Sequence, residues 1–115
     1  MTREEFNQFC ASLTATTYVM QWGESDVWKV GGKMFAIWSG STDGITFKVS
    51  KMDFEVLQEM PGLRPAPYLA SRGMTWIQQY EVPGLEDELL QQALTDSHRI
   101  VASGLSRKKQ RELGL

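Results

Sequence analysis

VWKVGGKMFAIW, residues Val27 to Trp38, holds two runs of β-branched and aromatic residues joined by Gly31-Gly32, with Lys29 and Lys33 on either side of the junction. Glycine enters the positive-φ region without a Cβ clash, so a Gly-Gly pair between two such runs predicts a tight β-hairpin. The texture extends outward in both directions. YVMQW (18–22) precedes the hairpin and ITFKV (45–49) follows it, set off by Gly23 and by the polar stretch SGSTDG (39–44). Short β-prone runs separated by turn residues predict an antiparallel meander. In ITFKV the alternation places Ile45, Phe47 and Val49 on one face, to be buried, and Thr46 and Lys48 on the other, to meet solvent or a partner.

Helices flank this meander. Thr2 and Glu5 stand in the S/T-x-x-E spacing of a capping box, and Phe6, Phe9, Cys10 and Leu13 recur at three- and four-residue steps behind it. The threonines at 14, 16 and 17 then break the helical run. A second, short helix carries Phe54, Val56, Leu57 and Met60, with Asp53 as the expected cap and Pro61-Gly62 as the stop. RPAPYL (64–69) contains two prolines and reads as an extended or irregular loop. MTWIQQYEV (74–82) reads as the last strand. Leu85 to Ser103 is the longest predicted helix; its acidic start, Glu86, Asp87 and Glu88, suits the helix dipole. Ser106 to Leu113 forms a further helical piece. The order of elements predicts one α+β domain over residues 1–115, with helices packed on one face of an antiparallel sheet.

Composition excludes several functions. The 115 residues include one cysteine and one histidine, which rules out an internal disulfide and leaves a conventional Cys/His zinc site short of ligands. No metal or other cofactor is expected. The apolar runs are too short to span a membrane and the start lacks the pattern of a signal peptide, so the expected location is the cytoplasm. No Walker-type glycine loop, G-x-S-x-G elbow or His-rich motif occurs, and Ser97 and His98 are neighbours on a helix, where consecutive side chains diverge. The chain is therefore read as non-catalytic. Cys10 is read as a small core residue.

Taken in order, DVWKVGGKMFA (26–36), ITFKV (45–49), APYL (66–69), GMTWI (73–77), Ser97 with RIV (99–101) and LSRKK (105–109) resemble the MmcQ/YjbR family. The resemblance runs over almost the whole chain. It implies a frataxin/CyaY-like α+β fold, a curved antiparallel sheet with helices packed on one face, and DNA binding as the function. His98 stands where relatives often carry an aromatic such as tyrosine.

Net charge is -2, so contact with double-stranded DNA must come from local clusters of cations. The candidates are Lys29 and Lys33 at the Gly-Gly turn, Lys48 and Lys51 near the neighbouring strand, Arg64 and Arg72 flanking the APY loop, and Arg107, Lys108, Lys109 and Arg111 in the tail. Each can neutralise a phosphate. Lysines on exposed hairpins also serve solubility, and that account fits these residues at least as well. Trp22, Trp28, Trp38, Trp76, Tyr68 and Tyr80 are candidate stacking platforms for single-stranded bases, though a small domain needs most of its aromatics in the core. Tyr68 and Trp76 are paired here as the walls of a pocket. The alternative function is an adaptor that holds a protein or small ligand, with no nucleic-acid role.

Overall fold

The computed structural model describes residues 1–70 and 73–115; Arg72, one of the expected DNA contacts, lies outside the described residues. The predicted meander forms as β1 (Thr16–Gln21), β2 (Ser25–Val30), β3 (Lys33–Trp38) and β4 (Ile45–Lys48), each antiparallel to the next. Two further strands, β5 (Leu63–Pro65) and β6 (Trp76–Gln79), complete a six-stranded sheet in the order β1-β2-β3-β4-β6-β5. Four helices, α1 (Arg3–Ser12), α2 (Lys51–Leu57), α3 (Asp87–Ser103) and α4 (Arg107–Leu113), complete the α+β arrangement.

Three local readings are corrected by the structure. The cap of α2 is Ser50, whose hydroxyl accepts the Asp53 amide at 3.1 Å; Asp53 sits in the first turn, where its charge meets the positive end of the helix. The start of the proline-rich segment is a strand and not a loop. Because β5 is the outermost strand, Pro65 can lack an amide without leaving a hole in the ladder. The last strand is also shorter than its apolar run, ending at Gln79.

Strand register divides the sheet into two faces. Trp28, Ala36, Phe47 and Ile77 lie in line across β2, β3, β4 and β6 and join Phe6 and Cys10 of α1 with Leu90, Leu94 and Val101 of α3 in the main core. Phe54 and Leu57 of α2 pack at its margin. As expected, Ile45, Phe47 and Val49 are buried. The other face carries Val27, Ile37, Thr46, Gln78 and Trp76, and these are buried too. Thr46 was expected to meet solvent or a partner; it is buried, and it lines a cavity with Trp22 and the segment after β5.

The opening hairpin has both turn glycines at positive φ, Gly31 at 59° and Gly32 at 82°. They are not equivalent. A Cβ on Gly31 would lie 2.5 Å from Leu105 Cδ1, whereas one on Gly32 would meet nothing within 4 Å. Leu105, between α3 and α4, thus seats the start of the basic tail against the hairpin. Gly31→Ala is expected to lower stability by about 2 kcal/mol, through backbone strain plus overpacking, and Gly32→Ala by about 1 kcal/mol, through strain alone. Thermal melts of the two variants check the ranking; equal losses would show that the Leu105 contact gives way freely.

Candidate nucleic-acid interface

The β3–β4 ladder runs only from Trp38↔Ile45 to Ala36↔Phe47, and beyond it Phe35 and Lys48 are not paired with each other. Phe35 is also skipped in the β2–β3 register, where Trp28 faces Ala36 and Lys29 faces Met34. The gap is closed from α3. The buried Ser97 hydroxyl accepts the Lys48 amide at 2.8 Å and donates to the Phe35 carbonyl at 2.6 Å, replacing the missing rung. Two backbone groups that would otherwise be buried without partners are satisfied by one side chain.

Nearby lies a depression of about 500 Å³ lined by Lys29, Gly32, Lys33 and Met34 of the hairpin, Lys48 and Trp76 of β4 and β6, Gln21 and Trp22 from the β1 end, and Ile100, Val101 and Gly104 at the C-terminal end of α3. Three of the expected cationic residues therefore meet at one place, although they come from three strands. No carboxylate lines the depression, and among the described residues none of these lysines is held in an ion pair. The Lys48 ammonium lies 5.9 Å from the centre of the Trp76 ring, within cation–π range. Trp76 is 4% exposed, and its indole Nε1 is a buried donor with no partner among the described residues.

The other candidates are distributed differently. Lys51 is exposed at the first position of α2 and does not line the depression. Arg107, Lys108 and Lys109 are exposed on α4, just beyond Gly104 and Leu105. Arg64 is engaged elsewhere, with Nε donating to Gln78 at 2.9 Å and the guanidinium 4.3 Å from the Tyr80 ring centre. Tyr68 and Trp76 line different cavities: Trp76 lines the lysine depression, and Tyr68, at φ 66° and 95% exposed, lines a second cavity of about 500 Å³ with Trp22, Ile37, Thr46, Arg64 and Gln78.

The six candidate stacking aromatics divide evenly between buried and exposed. Trp28, Trp38 and Trp76 are buried, while Trp22, Tyr68 and Tyr80 are exposed. The acidic trio does the work expected of it, with Glu86 at the N-cap and Asp87 and Glu88 in the first turn of α3; no group of three or more metal-ligating side chains occurs among the described residues. Burial pushes the Cys10 thiol well above its ordinary range, so it is not a thiolate at neutral pH. His98 is buried against Phe35, and its Nε2 lies 2.7 Å from the Thr14 carbonyl, which can only accept, so Nε2 carries the proton.

Comparison with known proteins now bears on the assignment. The YjbR family model matches residues 11–100. The chain belongs to the YjbR family. It is 29% identical over 94 residues to the uncharacterized protein YbdF of Escherichia coli O157:H7, an alignment spanning 78% of this chain and 75% of that one. The fold of this YjbR chain matches the crystal structure of the Deinococcus radiodurans protein DR2400, a DUF419 domain, with a TM-score of 0.86 at 23% identity, over 99% of this chain and 88% of that one. A Pseudomonas syringae protein gives a TM-score of 0.71 at 19% identity, over 88% and 99% of the two chains. These two likenesses concern the fold. Among the described residues no helix is long and apolar enough to cross a membrane.

Proposed function

We propose that this YjbR domain is a non-catalytic DNA-binding module that holds phosphates at the depression between β3 and β4. The observation that carries the reading is the convergence of Lys29, Lys33 and Lys48 on one carboxylate-free surface in a chain whose net charge is -2. A local cationic concavity on an otherwise acidic protein confines polyanion contact to one place. The basic start of α4, seated on the hairpin by Leu105, extends that contact. Lysine ammoniums on a backbone give affinity with little base readout.

Fluorescence anisotropy of a labelled duplex, titrated with salt, tests the proposal. Three phosphate contacts predict a slope of log K against log salt of about -3, and each contact removed reduces its magnitude by about one. Reversing Lys29 and Lys33 to glutamate is expected to lower affinity at low salt by roughly a hundredfold and to flatten the slope by about two. Affinity unchanged by the double reversal would remove the hairpin from the interface. Absence of binding to any nucleic acid at low salt would overturn the proposal.

A further inference from the structure

We infer that the nucleic acid held by this domain is single-stranded, with an unpaired base stacked on Trp22 beside the lysine depression. The inference rests on the phosphate-binding reading above and adds the strand state and the base-binding element. Trp22 is 62% exposed and, among the described residues, lines both cavities, the lysine depression and the Tyr68 cavity. An exposed indole in a small domain forgoes the burial that ordinarily stabilises tryptophan. Its position is also held at conformational cost. Trp22 sits at φ 48° and Tyr68 at φ 66°, the left-handed region that non-glycine residues seldom occupy outside functional or over-determined positions.

The two cavities are neighbours on one sheet face. Along β4, Thr46 lines the first and Lys48 the second; along β6, Gln78 lines the first and Trp76 the second. Positions two apart on a strand share a face and lie about 7 Å apart, the scale on which a base stands off from its own phosphate. The Tyr68 cavity has the size of a small-ligand pocket and is lined by Ile37, Thr46 and the hydrogen-bonded side chains of Arg64 and Gln78. A flat ring with hydrogen-bonding edges meets these surfaces, and an adjoining phosphate meets the lysines. In a duplex the bases are stacked within the helix and cannot reach the indole face. Aromatic platforms beside a cationic groove are how sequence-tolerant single-strand binders work.

The test compares three labelled ligands of equal length, oligo(dT), a duplex and a strand of abasic deoxyribose phosphates, against wild type, Trp22→Ala and Trp22→Phe. Wild type is expected to bind oligo(dT) most tightly. Trp22→Ala should weaken oligo(dT) binding roughly tenfold more than it weakens duplex or abasic binding, and Trp22→Phe should recover part of that difference. Because Trp22 is exposed, both variants should keep the wild-type circular dichroism. Equal binding of the three ligands, or oligo(dT) affinity indifferent to Trp22→Ala, would overturn the inference while leaving the lysine site standing. Failure of all three ligands to bind at low salt would overturn both.

Discussion

Replacing Ser97 with alanine is expected to destabilise the fold by about 2–4 kcal/mol, seen as a clear fall in the urea midpoint with little change in m. The hydroxyl accepts from the Lys48 amide and donates to the Phe35 carbonyl, and it is fully buried. Alanine leaves both backbone groups inside the protein without a partner. The cost of an unmade buried hydrogen bond exceeds the net worth of a made one, so the loss is larger than the removal of one hydroxyl suggests. For a domain whose total stability is on the order of 10 kcal/mol, this is a large fraction. A functional effect should follow, because the same hydroxyl fixes the backbone of Lys48 at the lysine depression. An alanine variant with a wild-type urea midpoint would show that the two strands close on each other without it.

The second large effect concerns Asp26. Its carboxylate is 2% exposed on the inner face of β2, and it accepts from Arg3 Nε at 2.6 Å, the Tyr18 hydroxyl at 2.6 Å and Asn7 Nδ2 at 2.9 Å. Asn7 in turn accepts from Trp28 Nε1 at 2.8 Å, and the Arg3 guanidinium also donates to the Glu24 carbonyl. The network ties α1 to the first hairpin of the sheet. Asp26→Ala should therefore cost about 2–4 kcal/mol, toward the lower end of what breaking a buried charged pair costs because the Arg3 side chain is 35% exposed and regains water.

The same network sets a pH dependence. The hydrogen bond from Arg3, with those from Tyr18 and Asn7, lowers the Asp26 carboxyl from its ordinary value to about 2. A carboxyl whose folded pKa is depressed contributes stability that is full above its unfolded value near 4 and is lost as pH falls toward 2. The contribution is about 1–2 kcal/mol after allowing for solvent around Arg3. Urea midpoints measured at pH 7, 4 and 2.5 should fall more steeply in wild type than in Asp26→Asn, which has no proton to take up at this position. Parallel losses in the two proteins would place the acid sensitivity on other carboxylates.

Much of the fold was legible in local chemistry. The capping box at Thr2 and Glu5, the Gly31-Gly32 turn and the alternation of Ile45, Phe47 and Val49 are each read from residues within one element, and each stands in the structure as expected. The misreadings have different causes. Ser50 and Asp53 both suit a cap, and only the backbone at Ser50, extended at φ -68° and ψ 162°, selects between them. Leu63–Pro65 became a strand because β6 offered it an edge, a partner distant in sequence.

The candidate site was legible as a list of residue types and not as a place. Lys29, Lys33 and Lys48 are identifiable from charge, but they come from three strands and meet only in the folded sheet. Which aromatics would lie outside was equally undetermined: both Trp22 and Trp28 stand in β-prone runs, but Trp22 falls in the turn between β1 and β2 and Trp28 within β2. Local chemistry specified the four helices, the first four strands and the turn that joins β2 to β3, because hydrogen bonding and burial within a strand or helix depend on near neighbours. Only the tertiary structure decided the second buried face, the split ladder and the meeting of three lysines with Trp22, because those depend on which distant strands share a register.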